Sequence, residues 1–129
     1  MPGMLFDPTL DGLARALTIH QRRHDVLAAN VANVETPHYH ARDVDFASAL
    51  KRAFDTQTTA PGETPGDEAA PPALPAVEDP SAPERADGNT VDIDFEMAKL
   101  TANGTDYLAL ARILGRRVTL LRQAIEGTR

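Results

Sequence analysis

A series of positions in the first part of the chain, apolar except for two histidines, recurs at alternating spacings of three and four residues. We call these positions the first stripe: Leu10, Leu13, Leu17, His20, His24, Leu27, Val31 and Val34. This period keeps one side of a helix against a partner helix, as in a coiled coil. Asp7 is a suitable N-cap, Pro8 suits the first helical position, and Thr36-Pro37 ends the helix. The pattern predicts a helix of about 27 residues, roughly 40 Å long.

A pattern with the same period occupies the C-terminal part of the chain. We call these positions the second stripe: Met97, Leu100, Gly104, Tyr107, Ala111, Leu114, Val118, Leu121 and Ile125. Asp92 or Asp94 can cap this helix, and Glu96 lies in its first turn, where the helix dipole favours negative charge. The two patterns predict an all-α chain whose two long terminal amphipathic helices form a coiled-coil-like, antiparallel pair.

The middle of the chain is predicted to hold one short helix followed by a flexible segment. Asp43 is the predicted N-cap of a helical turn or two, on one side of which the pattern places four apolar side chains: Phe46, Leu50, Ala53 and Phe54. Seven of the ten prolines fall within residues 61–83, and few large apolar side chains are present there to offset the entropy of ordering. We therefore divide the chain into an N-terminal helical segment (1–56), a Pro- and acid-rich flexible linker (57–86) and a C-terminal helical segment (87–129).

Composition and charge exclude several classes of function. The chain has no Cys, so neither a disulfide framework nor a thiolate metal site is available. The net charge is -6, yet residues 108–129 carry five arginines against one acid. Without interleaved aromatic residues, such a segment is typical of a helix surface facing solvent or a partner, and we expect no nucleic-acid binding. No run approaches about 18 apolar residues, so we expect no membrane insertion, and the N-terminus lacks the pattern of a cleaved signal peptide.

Two groups of residues raise the question of metal binding. His20 and His24 have the spacing of a two-histidine half-site, but Gln21 stands where the zinc-protease motif has Glu. Both histidines also belong to the first stripe, where polar residues can fix the register of packed helices. An acidic run precedes and opens the second helix: Asp87, Asp92, Asp94 and Glu96. With Gly88 as the sixth position of a calcium loop, the first would be Pro83, which is no ligand. We expect no metal, no cofactor and no enzyme.

Two segments carry more information than their periodicity. The first reads Leu27-Ala-Ala-Asn-Val-Ala-Asn-Val-Glu-Thr-Pro-His-Tyr39, and the second reads Asp87-Gly-Asn-Thr-Val-Asp-Ile-Asp-Phe-Glu-Met-Ala-Lys-Leu100. The first resembles the N-terminal signature of flagellar axial proteins, which form the rod and hook. The second resembles the run that opens the C-terminal helix in proximal-rod members of the flagellar basal-body rod protein family. The resemblance covers about residues 8–54 and 87–126.

The resemblance implies a structural subunit of the proximal rod of the bacterial flagellar basal body. Such a subunit is exported through the flagellar type III apparatus without a cleaved signal and assembles in the periplasm by coiled-coil packing of its terminal helices. The implied partners are other rod proteins, the rod-to-ring adaptor protein and the inner-membrane ring. Periodicity alone leaves open a cytosolic helical-hairpin adaptor, which has no need for either motif. The predicted assembly interface comprises the first stripe, Asn30, Asn33 and the second stripe apart from Gly104.

Residues of the first motif have predicted structural roles. Thr36 and Pro37 end the helix, and Tyr39 anchors the segment that follows by packing. Asn30 and Asn33 are candidates for bonding the open carbonyls at the helix end or the backbone of a neighbouring subunit. The alternative is that both are ordinary polar residues of a helix end.

The second motif begins with a predicted tight turn at Asp87, Gly88 and Asn89, which sets the point where the chain enters the second helix. In the first motif, His38 stands where the flagellar family usually has Gly. If the turn there requires a positive φ, a side chain meets a steric cost, although His tolerates that region better than most residues.

Overall fold

The computed structural model describes residues 8–55 and 74–127 of the chain. Five elements follow one another: α1 (Pro8–Ala32), β1 (Arg42–Val44), α2 (Phe46–Asp55), β2 (Ala76–Glu78) and α3 (Ile93–Glu126). The prediction of a mostly helical chain with two long terminal helices is confirmed. Helix α1 begins at Pro8, as predicted, and the proposed Asp7 cap lies outside the described residues.

Two short strands were not predicted from the sequence. β1 and β2 form an antiparallel ribbon in which Arg42 pairs with Glu78, and Val44 with Ala76. β2 lies within the predicted linker, of which residues 57–73 are outside the described part of the chain. The division of the chain into three segments therefore stays a prediction.

Helices α1 and α3 run antiparallel. Nδ1 of His20 lies 2.8 Å from Oδ1 of Asn103, and Nδ2 of Asn30 lies 2.8 Å from Oε2 of Glu96. Moving ten residues forward along α1 thus corresponds to moving seven residues back along α3. The side of α1 turned toward the fold contains these buried residues: Gly12, Ala16, Ile19, His20, Val26, Leu27 and Asn30.

Helix α3 is longer than the helix against which it packs. Its 34 residues span about 51 Å, whereas the 25 residues of α1 span about 38 Å. In the observed register, Pro8 falls beside roughly residue 115 of α3, so the last turns of α3 extend past the described part of α1. Within α3 only Glu96 and Asn103 are buried, and large apolar residues along it are exposed, for example Leu108, Ile113 and Leu120.

We expect amide hydrogen exchange to divide α3 into two parts in the isolated chain. Residues 93–111, which pack on α1, should exchange more slowly than residues 112–126, because helical turns without buried contacts open at lower free energy. The measurement is exchange mass spectrometry at neutral pH. Equal protection along all of α3 would contradict the expectation.

The apolar core lies between α1, α2 and the β ribbon. Its buried members are Ile19, Val26, Val44 and Ala49, with four partly buried residues packed against them: Phe46, Leu50, Leu74 and Ala76. The side chains of Ala53 and Phe54, predicted to share this side of α2, lie outside the described ones. So few buried residues make a small core, which leaves an unusual share of the packing to polar contacts.

The predicted cap of α2 was wrong by two residues. Asp45, not Asp43, precedes the helix, and its Oδ1 accepts a hydrogen bond from the Ser48 amide at 3.3 Å. Hydrogen bonds from Ser48 also hold the pKa of Asp45 below its ordinary value. Asp43 instead forms an ion pair with Arg23. Nε and Nη2 of Arg23 each donate to one carboxylate oxygen of Asp43 at 2.8 Å.

Candidate assembly site

The C-terminal end of α1 is closed by a side chain from the second motif. Nδ2 of Asn89 lies 3.0 Å from the carbonyl oxygen of Asn33, 3.2 Å from that of Val34 and 2.7 Å from that of Thr36. Its Oδ1 accepts from the Val91 amide at 2.7 Å. These carbonyls belong to the turn that follows α1, where each also accepts a hydrogen bond from a second donor: the Thr36 amide, the Arg85 guanidinium and the Tyr39 amide, respectively. Asn89 is fully buried, so it acts as a cap supplied from a distance and not only as a turn residue.

Asn30 is fully buried as well, and it bonds to the backbone of β1. Its Nδ2 donates to the Arg42 carbonyl at 2.6 Å, and its Oδ1 accepts from the Arg42 amide at 3.0 Å. The same Nδ2 donates to Glu96 of α3, and the Tyr39 hydroxyl donates to Asn30 Oδ1 at 3.3 Å. The Asn30 side chain therefore bonds the amide and carbonyl of Arg42, which a further strand would otherwise bond along β1.

Asn33 has a different environment from Asn30. Its Nδ2 donates to the Ala29 carbonyl one turn earlier in α1 at 2.8 Å, and its Oδ1 accepts from the Thr36 hydroxyl at 3.0 Å. Asn33 thus behaves as a helix-end polar residue within the described chain. Of the two alternatives for the asparagines of the first motif, Asn33 follows the second, and the carbonyls just beyond α1 are bonded by Asn89 and not by either of them.

The two motifs run side by side just beyond α1. The His38 amide donates to the Asp87 carbonyl at 3.1 Å, and the Thr90 amide donates to the Tyr39 carbonyl at 3.0 Å. The Ala41 amide donates to the Thr90 hydroxyl at 2.8 Å. We call this set of contacts between residues 27–43 and 87–103 the motif clasp. It joins parts of the chain separated by about fifty residues in sequence.

At the centre of the motif clasp, two residues adopt positive φ. His38 has φ of 60° and Gly88 has φ of 77°, so the turn geometry that the family pattern suggested is present with His in place of Gly. A Cβ added to Gly88 would lie 2.5 Å from Nδ1 of His38. Gly88 is therefore required both by its backbone conformation and by the imidazole ring beside it.

Replacing Gly88 by Ala should destabilise the chain by about 2 to 3 kcal/mol, from the strained φ and the contact with His38 together. In a His38→Gly background the same change should cost only about 1 kcal/mol, because the ring contact is gone. Urea unfolding followed by circular dichroism measures all four chains of this cycle. Equal costs in both backgrounds would show that the ring does not restrict Gly88.

A cluster of charged side chains ties α1, α3 and the β ribbon together. Lys99 Nζ lies 3.1 Å from oxygens of both Asp79 and Glu96, and 3.9 Å from Asp43, which is itself bonded to Arg23. Glu96 is only 2% exposed, so its negative charge depends on these partners and on its place in the first turn of α3. The sequence showed the pair Glu96 and Lys99 at a spacing of three but not their distant partners.

The charged cluster changes the proton affinity of its members. The hydrogen bond to Asp43, followed by their charge attraction, outweighs burial and raises the pKa of Arg23. Burial alone lowers the pKa of Lys99, but hydrogen bonds and charge attraction from Asp79 and Glu96 raise it overall. Both cations therefore stay charged throughout the physiological range.

Asp79 should make the stability of the chain sensitive to acid. Hydrogen bonds from the Ser81 hydroxyl and amide, with a smaller contribution from Lys99, lower its pKa from 3.8 to about 2. Because the folded pKa is depressed, this stabilisation is complete above the unfolded pKa and is lost as the pH falls from about 4 through about 2. We expect Asp79→Asn to remove about 1 kcal/mol of this acid-dependent stability.

Unfolding midpoints measured in urea between pH 2 and pH 5 test the Asp79 prediction. The slope of stability against pH should be shallower in Asp79→Asn than in the parent chain. Ser81→Ala is the matched variant, since it leaves the carboxylate but removes its strongest donor, the Ser81 hydroxyl, and should shift the transition to higher pH. Identical slopes in all three chains would contradict the assignment.

Comparison with known proteins identifies the family. No family model matches the chain. The flagellar basal body rod protein FlgB of Cereibacter sphaeroides is 37% identical over 117 residues, covering 88% of this chain and 91% of the relative. The FlgB proteins of Salmonella typhimurium and Escherichia coli are 30% and 35% identical, over 94% and 84% of this chain and 95% and 87% of their own lengths. The chain belongs to the FlgB family. The family resemblance of the two motifs is thereby confirmed.

In this FlgB-family chain the first stripe lies along a flank of α1 and not at its most buried side. His20 and Leu27 are buried, whereas His24 is exposed. The remaining members are half-buried: Leu10, Leu13, Leu17, Val31 and Val34. Packing inside one chain thus uses part of the first stripe and leaves part of its surface open. Its role in assembly stays a prediction.

The second stripe is less covered than the first. Four of its members are exposed: Met97, Tyr107, Val118 and Ile125. The others are half-buried: Leu100, Gly104, Ala111, Leu114 and Leu121. No member is fully buried within the described chain, so part of each large side chain of the second stripe stays exposed.

The histidine pair of the first stripe does not converge on a common point. His20 is buried, bonded to Asn103 and packed on the Phe46 ring at a centroid distance of 4.6 Å, whereas His24 is exposed. Within residues 8–55 and 74–127, no group of three or more metal-ligating side chains is placed to hold an ion. None of the helices described is long and apolar enough to cross a membrane.

Proposed function

We propose that this FlgB-family chain is a structural subunit of the proximal rod of the flagellar basal body, and that it acts by packing α1 and α3 against the helices of neighbouring subunits. The observation that carries this proposal is the second stripe. Its apolar members are exposed or half-buried along α3, which is longer than α1. Burial of such side chains is worth about 25 cal/mol per Å² of apolar surface, which favours association once copies are brought together.

The motif clasp supports the same proposal from another direction. It sets the angle and register of the two helices by buried hydrogen bonds, so each subunit offers its open apolar surfaces in one fixed arrangement. A rod built from repeated contacts needs this uniformity, because small errors in each subunit add along the assembly. The chain has no catalytic step in this proposal and requires no cofactor.

The partners that we propose are the other rod proteins, the rod-to-ring adaptor protein and the inner-membrane ring, with delivery through the flagellar type III export apparatus. These follow from family membership together with the open helix surfaces. They involve neither nucleic acid nor direct insertion into the membrane.

Deletion of the gene in the parent bacterium tests the proposal. Motility and intact hook–basal bodies should be lost, and plasmid copies of the parent chain should restore both, with the chain recovered in purified basal bodies. Glu35→Ala, at an exposed position after α1, is the matched control and should restore motility fully. A motile deletion strain, with the chain recovered only from the cytosol, would instead favour a cytosolic helical-hairpin adaptor.

A further inference from the structure

A third series of positions runs along the side of α3 turned away from α1. Because each residue rotates the helix by about 100°, these positions lie between about 90° and 170° around the helix from the midpoint of the buried Glu96 and Asn103. We call them the outer stripe: Phe95, Ala98, Ala102, Thr105, Ala109, Ile113, Arg116 and Leu120. Every member is exposed, including the three large apolar ones, Phe95 (56%), Ile113 (52%) and Leu120 (64%). Large side chains therefore stand at the two ends of the outer stripe, with small ones between them.

The two ends of the outer stripe have opposite charge. Residues 78–94, which lead into α3, carry six acids against one arginine, and residues 108–126 carry four arginines against one acid, Glu126, which is paired with Arg122. Asp94 is exposed beside Phe95, and Arg112 and Arg116 are exposed beside Ile113.

One cation lies close to the acidic end of the outer stripe. Nζ of Lys99 is 4.7 Å from the centroid of the Phe95 ring, but the same nitrogen is held by Asp79 and Glu96. Its charge is thus balanced within the chain, and the surface around Phe95 remains acidic.

We propose that the outer stripe joins successive copies of this chain head to tail, the basic end of α3 in one copy packing against the acidic beginning of α3 in the next. This inference rests on the proposed function and names the partner as a second copy. Phe95 of one copy meets Ile113 and Leu120 of the other, and Asp94 lies opposite Arg116. Opposite charges around an apolar centre set both the partner and the register.

The charge pattern favours a head-to-tail contact that can repeat from copy to copy, and not a contact that ends in a closed dimer. In a parallel arrangement the two helices are offset by about 20 residues, or roughly 30 Å, and each copy uses one end for the preceding copy and the other for the following one. Such a contact between two different surfaces produces an open-ended assembly. An antiparallel arrangement would use both ends at once and stop at a dimer.

Introduced cysteines test this arrangement, because the native chain contains none. A chain carrying both Phe95→Cys and Leu120→Cys should form a ladder of disulfide-linked oligomers on a non-reducing gel after mild oxidation. The two positions are about 38 Å apart along one helix, too far for a bond within the chain. A single band of dimer would indicate the closed antiparallel arrangement and overturn the proposal.

Matched variants distinguish disulfides that form in the proposed contact from those that form by random collision. Gln21→Cys combined with Leu120→Cys should give no ladder, because Gln21 is exposed on α1 level with Asn103, away from both ends of the outer stripe. In the double-cysteine chain, Asp94→Arg or Arg116→Glu alone should lower the yield of linked oligomers about fivefold at low salt, and the two together should restore it. If the yield of linked oligomers were the same with Asp94→Arg, with Arg116→Glu and with both, charge would not set the register of the contact.

The same chains, tested for motility in the deletion strain, keep the two proposals apart. If the parent chain restores motility but the double-cysteine chain gives no ladder, the rod function stands and the head-to-tail contact is wrong. If the ladder forms in the purified chain but the parent chain fails to restore motility, the contact stands and the proposed function is wrong. Circular dichroism confirms that each variant is folded before either comparison.

Discussion

Asn89→Ala is expected to lower the free energy of unfolding by about 3 kcal/mol, a large part of the stability of a chain this size. The Asn89 side chain closes the end of α1 and also bonds the Val91 amide. Its removal leaves the buried Val91 amide without an acceptor, takes one donor away from each of three carbonyls, and releases the second motif from the first. Because the loss of a buried partner costs more than the bond itself contributes, the effect should exceed that of an ordinary cap.

Asn33→Ala is the control for Asn89→Ala. Asn33 has the same side chain and belongs to the same cluster, but its amide bonds only within its own helix end, so its loss should change stability by no more than about 0.5 kcal/mol. Urea denaturation of the purified chains, with helicity as the signal, measures both. Similar costs for the two variants would mean that α1 does not depend on a cap from the second motif.

Leu27→Asp should prevent the chain from folding, whereas Leu114→Asp should leave it folded but unable to assemble. Leu27 has no exposed surface, and burying an unpaired carboxylate there costs more than about 4 kcal/mol. Leu114 is half-buried near the end of α3, where a charge can reach water and should cost about 1 kcal/mol. In an assembled rod the same charge would lie in a packed interface.

Circular dichroism and motility together distinguish the two aspartate variants. Leu27→Asp should lose helical signal and motility, and Leu114→Asp should lose motility alone. The conservative changes Leu27→Met and Leu114→Met control for size and should restore motility. A motile Leu114→Asp strain would remove the second stripe from the assembly interface.

The long helices were predictable because their signals are local. Proline at the start of α1, the Thr36-Pro37 stop and the alternating spacing of apolar residues depend only on neighbours in sequence. The start of α3 was bounded in the same way, since Asp92 is its cap, with Oδ1 accepting from the amides of Asp94 and Phe95. Backbone requirements and apolar period are sufficient for such elements.

The contacts across the motif clasp could not be predicted in the same way. Asn30 and Asn89 are typical of helix ends and turns, and nothing near either residue in sequence indicates that both would be fully buried. Asn30 bonds Glu96, which is 66 residues away, and Asn89 bonds carbonyls that are more than fifty residues away, so which donor meets which acceptor depends on the fold as a whole. The resemblance to a family marked these residues as a group without giving their roles. The strands of the β ribbon, three residues each, are likewise too short to leave a pattern.

The motif clasp also affects how well this fold tolerates insertions between its two long helices. Residues 27–43 and 87–103 hold each other directly, so the intervening stretch does not have to carry the register from one helix to the other. For a loop whose ends are already fixed, doubling the length adds only about 0.6 kcal/mol of closure entropy. The connection between the end of α2 and the start of β2 is thus a natural point for insertion, where evolution or a designer can add a surface domain without disturbing the two long helices.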